Sequence, residues 1–200
     1  MTSAENPTPR SRVLVVVDIQ RDYFEGGAFP LVGSEAAASR AAELLAGFRA
    51  AGEPVIHIQH VWDAPDATFF RPGTPGVEIH PLAAPVGDEP VLQKESPNSF
   101  LGTGLEERLR VLEAEAAAAA SGGFDVVVIG MMTSMCVDAT VRAASDLGFT
   151  VTVGADAGAA PDLEFGGQAV PGALVHAAFL AALSDSYATV VPVAELLTPA

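Results

Sequence analysis

Residues 124–147 read FDVVVIGMMTSMCVDATVRAASDL, and this stretch decides the fold. It opens on a run of β-branched apolar residues, Val126 to Ile129, the mark of a strand buried on both faces. Gly130 interrupts the run, and Thr133 and Ser134 offer N-cap oxygens. Val137, Thr140, Val141, Ala144 and Leu147 then fall on one helical face. The reading is a buried strand, a tight turn and a helix. Cys136, the one cysteine of the chain, sits in the first turn of that helix. A helix N-terminus carries partial positive charge and free N–H groups, a setting that favours a thiolate and an oxyanion beside it. A lone cysteine is equally at home as a small buried hydrophobe, so both readings of Cys136 stand until the rest of the chain is read.

Working outward, 200 residues suit one compact domain with a sizeable core, and half of them are hydrophobic. No apolar run approaches the ~20 residues needed to cross a bilayer. Residues 1–11 are polar and read as a flexible tail without the apolar core of a secretory signal. Together with a single cysteine this leads us to expect a cytoplasmic protein whose one domain spans residues 12–198. The formal net charge of −15 speaks against nucleic acid and anionic membrane surfaces as partners.

Upstream, Val13 to Val17 is a second buried-strand run and ends on Asp18. A carboxylate at the carboxyl end of a parallel strand lies where open α/β sheets bind ligands; an Asx turn or helix cap is the plainer role. Ile19 to Phe24 then mixes polar and aromatic side chains. Ser34 is a good N-cap for a helix over residues 36–50, closed by Gly52. Val55 to Gln59 is the next strand. It bears His57, with His60 and Trp62 just beyond. A metal site at His57 and His60 is weak on its own, since no third ligand has a defined place. Residues 63–89 hold five prolines between Pro65 and Pro85, together with Phe69 and Phe70. Such a long irregular segment is usually a functional loop. Val91 to Lys94 forms a short strand. Residues 104–120 form a helix, 149–153 a strand, 156–171 a loop, 171–183 a helix, and 188–191 a final strand. His176 on the last helix reads as packed or capping. Strands alternating with helices imply a three-layer α/β/α fold with a mainly parallel, six-stranded central sheet. P-loop, dinucleotide-fingerprint and zinc-protease motifs are absent from the sequence.

Four blocks, in order, carry a resemblance: LVVVDIQRDYF (14–24), PGTPG (72–76), LQKESPNSF (92–100) and VVVIGMMTSMCVDATVRAA (126–144). The chain resembles the isochorismatase-like cysteine hydrolases, a superfamily that includes nicotinamidases, N-carbamoylsarcosine amidases and streptothricin hydrolases. HIQHVW (57–62), TFFRPGTPG (68–76) and SPNSFLGTGLEERL (96–109) look most like the streptothricin-hydrolase branch.

The resemblance implies a catalytic triad of Asp18, Lys94 and Cys136, a cis peptide at Met131–Met132, and an oxyanion hole from the N–H groups of Met132 and Cys136. It implies cleavage of a small non-peptide amide, cyclic or open-chain, through a thioester, by a homo-oligomer, dimer or tetramer, that uses no cofactor. Gln20, Tyr23, Phe24, His60, Trp62, Phe69 and Phe70 are the expected pocket residues. The metal-binding Asp-x-His of nicotinamidases is not matched, since His60 and Trp62 stand in those places, so no metal is expected. Nicotinamidase activity, isochorismatase activity on a vinyl ether, and a non-enzymatic redox-sensing role for Cys136 remain the alternatives.

Overall fold

The computed structural model describes residues 10–198. Eight strands and five α-helices follow one another as β1 (Ser11–Val17), α1 (Ser34–Ala51), β2 (Val55–His60), β3 (Val91–Lys94), α2 (Leu105–Ala118), β4 (Phe124–Met131), α3 (Asp138–Asp146), β5 (Thr150–Ala159), β6 (Leu163–Phe165), β7 (Gln168–Val170), α4 (Gly172–Ser186), β8 (Thr189–Val191) and α5 (Val193–Leu196). Six strands form one sheet in the order β3-β2-β1-β4-β5-β8, and every pairing in it is parallel.

The apolar runs lie at the centre because both faces of the sheet are covered. Leu14 and Val16 face one core with Leu44, Leu45 and Phe48 of α1. Val13, Val15 and Val17 face the other, with Leu105 and Leu109 of α2 and Val141 of α3. This period-two alternation inside a continuous apolar run is what a doubly covered parallel strand requires.

The structure departs from the sequence reading at several boundaries. Ser11 belongs to β1, so the expected tail is shorter than 1–11, and residues 1–9 lie outside the described region. Gly33, in the left-handed region at φ 79°, caps α1, and Ser34 is its first helical residue. Gly130 does not end β4, which runs on to Met131. It sits at φ 135°, where a Cβ would collide with the Val17 carbonyl, so only glycine lets β1 and β4 approach there. The loop expected at residues 156–171 contains the rest of β5 and a hairpin of β6 and β7, paired antiparallel. Its side chains are largely exposed, so no apolar alternation announced it.

The segment between β2 and β3 is irregular but anchored. Buried Asp22 accepts hydrogen bonds from Phe70 N–H (2.6 Å) and Ala28 N–H (3.0 Å). Gly76 packs so close to this carboxylate that a Cβ would collide with it. Gln20 spans the same region: its amide donates to the His60 and Val77 carbonyls (2.8 Å each) and accepts from His60 N–H (2.8 Å).

Candidate active site

The carboxyl ends of four adjacent strands meet at one point. Asp18 directly follows β1, and His60 and Lys94 end β2 and β3 in register with one another. Cys136 follows β4. The Lys94 ammonium lies 2.7 Å from Asp18 Oδ2, and both side chains are fully buried. Beyond this ion pair neither Asp18 oxygen has a hydrogen-bond partner among the described residues. Lys94 also donates to the carbonyls of Ser96 (3.0 Å) and Pro97 (3.2 Å). Its Nζ lies 3.4 Å from His60 Nδ1. Cys136 Sγ is 3.8 Å from that same Nδ1, which is 3.8 Å from Asp18 Oδ2. Asp18 adopts φ 49°, a left-handed backbone uncommon outside glycine and of the kind found at sites where position matters more than local comfort.

Cys136 does not occupy the first turn of a regular α-helix. Residues Thr133–Val137 form a π-helical turn that precedes α3, with Met132 as the residue before it and no side-chain cap from Thr133 or Ser134. The Met132 carbonyl accepts from the N–H groups of Met135 and Val137 (3.1 Å each). π-turns of this sort widen the helix at functional sites. The peptide bond between Met131 and Met132 is cis. Thr133 is held by α4 and β5. Its hydroxyl lies 2.8 Å from His176 Nδ1 and 3.2 Å from the Ala159 carbonyl, and His176 Nε2 donates to the Ala155 carbonyl (3.1 Å). The sequence reading of His176 as packed or capping named neither partner, because they are 43 and 21 residues away in the chain.

The electrostatics differ from the thiolate that a helix N-terminus suggests. Burial pushes the Cys136 thiol well above its ordinary range, the Asp18 carboxylate adds to this, and Lys94 opposes it. These influences favour a thiol at Cys136 over a thiolate, and the Asp18 carboxyl group stands beside it as a proton acceptor. Burial and the neighbouring Lys94 ammonium lower the His60 pKa, so this imidazole is neutral.

Above these groups opens a cavity of about 470 Å³. Of the residues expected to line it, Tyr23, His60, Trp62 and Phe69 do. Gln20, Phe24 and Phe70 do not. Gln20 is fully buried in its bracket between the ends of β1 and β2 and the loop. Phe24 stacks on His80 at 3.8 Å, away from the cavity. Phe70 is fully buried beneath, against Tyr23 at 4.6 Å and His60 at 5.8 Å. Phe29, Glu95, Pro97, Met132 and Met135 complete the lining. Glu95 directly follows Lys94, a proximity available in the sequence, but nothing in the sequence aimed it at the cavity. The Tyr23 hydroxyl is buried without a hydrogen-bond partner. Burial, Cys136 and Asp18 all raise the Tyr23 pKa, so the phenol keeps its proton.

His57 takes no part in this site. It points away from His60 and bonds Glu89 Oε2 through Nε2 (2.9 Å), while Arg49 grips both oxygens of Glu89 (2.7 Å each). The histidine pair considered for a metal is therefore not a pair in space. Among the described residues, Asp18, His60 and Cys136 are the three acidic, histidine or cysteine side chains whose ligand atoms lie within 4.8 Å of one another. The Lys94 ammonium already supplies the positive charge beside them.

This fold and site define a hydrolase of the α/β/α class with a cysteine at the carboxyl edge of the sheet, and comparison with known proteins agrees. The Isochorismatase domain model matches residues 12–195, and the chain belongs to that family. An uncharacterised isochorismatase family protein of Bacillus subtilis, YddQ, is 45% identical over 177 residues, covering 88% of this chain and 93% of that one. A streptothricin hydrolase of Streptomyces noursei is 34% identical over 180 residues, covering 87% of this chain and 60% of its own length. A crystal structure of an isochorismatase-family hydrolase from Oleispira antarctica superposes with a TM-score of 0.84 at 44% identity, covering 98% of each chain. Relatives in this family are named as hydrolases and amidohydrolases. No described helix is long and apolar enough to cross a membrane.

Proposed function

We propose that this protein is a cysteine hydrolase that cleaves the C–N bond of a small, non-peptide amide through a thioester intermediate. The observation that carries the reading is a buried thiol that lines a cavity and stands beside the buried Asp18–Lys94 ion pair. Asp18 accepts the Cys136 proton as the sulfur attacks the amide carbonyl, and the Lys94 ammonium stabilises the negative charge that passes between them. The oxyanion forms against the N–H groups of Met132 and Cys136. Protonated Asp18 gives its proton to the departing amine, which leaves a thioester. Water, deprotonated by Asp18, attacks that thioester, and the released sulfur recovers the proton. The products are an acid and an amine, and the enzyme returns unchanged. Tyr23 offers the substrate a phenolic donor that has no hydrogen-bond partner among the described residues.

A redox-sensing role fits less well. Cys136 is 1% exposed and its thiol is pushed up, whereas sensor thiols are exposed and acidic. Association into homo-oligomers is part of the reading. Phe165, 87% exposed at the end of β6, is a residue that a second copy would cover.

The test is amine release from a panel that includes nicotinamide, N-carbamoyl compounds and lactams of the streptothricin type, run with wild type and Cys136→Ala, with and without a chelator. Chelator-insensitive turnover that disappears in Cys136→Ala, with an acyl adduct on Cys136 seen by mass spectrometry, is the expected result. Turnover that persists in Cys136→Ala would falsify the nucleophile assignment.

A further inference from the structure

The cavity above Cys136 has an uneven chemistry. Its walls are aromatic: Trp62 and Phe69 meet edge to face with ring centroids 5.3 Å apart, and Tyr23 and Phe29 close the circle at 5.9 and 5.0 Å from Phe69. The one charged side chain on its rim is Glu95, a carboxylate. Among the described residues no arginine or lysine lines it, and the Lys94 ammonium is fully buried and already paired with Asp18. His60 is held neutral. The volume, about 470 Å³, suits a small molecule.

We infer that the amide substrate carries a cationic group, an ammonium or guanidinium a few bonds from the scissile carbonyl, which sits among Trp62, Phe69 and Phe29 under the Glu95 carboxylate. This rests on the amidase reading above and narrows it. Aromatic faces attract a cation through their quadrupole, more strongly as water is excluded. A carboxylate on the rim adds charge complementarity. A substrate carboxylate has the opposite fate: it would lose its water inside an aromatic cavity, meet no free cation and face Glu95. The site therefore sorts substrates by charge, against acids and in favour of amines. The formal net charge of −15 acts in the same direction at longer range by drawing cations toward the protein.

A matched series tests this: 6-aminohexanamide, hexanamide and adipic acid monoamide share a scissile primary amide and chain length, and differ in the charge of the far end. Ammonia release gives kcat/KM for each in wild type and in Glu95→Gln. The expected order is ammonium, then methyl, then carboxylate. The ammonium compound should lead the methyl compound by about tenfold, and that ratio should shrink toward one in Glu95→Gln and at high salt. A ratio near one in wild type, a ratio untouched by Glu95→Gln, or preferred turnover of the monoacid overturns the inference while leaving the amidase reading intact. If none of the three releases ammonia, binding decides. Trp62 is the only tryptophan of the chain, so its fluorescence in Cys136→Ala reports occupancy directly. Selective quenching by 6-aminohexanamide then supports the cation site by itself, and equal or absent quenching by all three overturns it.

Discussion

Removing one partner of the Asp18–Lys94 ion pair should cost more than removing both. At 2.7 Å, with an effective dielectric of about 20, the Coulomb attraction is about 6 kcal/mol. Much of that offsets the cost of taking two charges out of water, so the pair's net contribution is small. In Lys94→Met the counter-charge disappears, while Asp18 stays fully buried with no hydrogen bond to either oxygen. Loss of a buried partner in this way costs about 3–5 kcal/mol. With a urea slope of about 2–3 kcal/mol/M for a domain of this size, the unfolding midpoint should fall by about 1–2 M. Asp18→Asn should cost less, because Lys94 keeps the carbonyls of Ser96 and Pro97. The double variant Asp18→Asn/Lys94→Met should be at least about 2 kcal/mol more stable than Lys94→Met alone, since it leaves no uncompensated charge. All three variants should be inactive. The assay is urea denaturation followed by circular dichroism, run as a double-mutant cycle. If the two single effects simply add within about 0.5 kcal/mol, the two groups are not coupled and the account of the site's electrostatics is wrong.

Asp18→Asn should speed alkylation of Cys136 by iodoacetamide at neutral pH while abolishing turnover, because the carboxylate that raises the thiol pKa is also the proton acceptor; Lys94→Met should slow alkylation, and the reverse order of rates would contradict the assignment. The protein should lose stability as pH falls below about 6.5. Burial lowers the folded pKa of His57, His60 and His176, so the unfolded chain binds those protons first, at up to about 1.4 kcal/mol per pH unit for each. Glu89, held at about 2 chiefly by Arg49, adds stability that is present above its unfolded pKa and lost as pH drops through about 4.5 toward 2. Melting temperatures that rise as pH falls from about 7.5 to about 5.5 would contradict the histidine sign, and ones that rise as pH falls from about 4.5 toward 2 would contradict the Glu89 sign. Gly76→Ala should loosen the loop that Asp22 anchors, destabilising the protein by about 1–3 kcal/mol and raising KM more than it lowers kcat, as read by denaturation and steady-state kinetics. Tyr23→Phe, which keeps the ring and removes only the unpartnered hydroxyl, should leave stability unchanged or slightly higher and lower kcat/KM by tenfold or more if that hydroxyl meets the substrate.

Much of the site's backbone was legible in the linear order of residues. Val13 to Val17 has the pattern of a doubly covered strand, which puts Asp18 at its carboxyl end. The same argument set Cys136 after β4, and the short run Val91 to Lys94 put Lys94 at the end of β3. Parallel pairing then aligns all those ends on one edge of the sheet, because every crossover returns the chain to the same starting side. The pocket was less legible. Gln20, Tyr23, Phe24 and Phe70 are all polar or aromatic residues near Asp18 or in the long loop, and sequence alone does not separate those that face a cavity from those that face the core. Gln20 turned out to bridge two chain segments 40 and 57 residues away, a partnership that no local pattern records. Phe70 is buried through its backbone bond to Asp22, 48 residues upstream. The π-turn at Cys136 was also hidden, since five residues beginning with Thr-Ser read equally well as a capped α-helix.

What the sequence determined by itself, then, was the layered α/β/α architecture, the parallel sheet and the edge on which Asp18, Lys94 and Cys136 emerge. These follow from periodicity and short-range geometry, which act between residues close in the chain. Only the tertiary structure decided that His60 stands among the three while His57 is drawn to Glu89 and Arg49, that burial pushes the Cys136 thiol up, and that Glu95 is, among the described residues, the one charged side chain on an aromatic rim. Those outcomes depend on distances between residues far apart in the chain and on how completely water is excluded around them, and neither quantity exists until the chain has closed on itself.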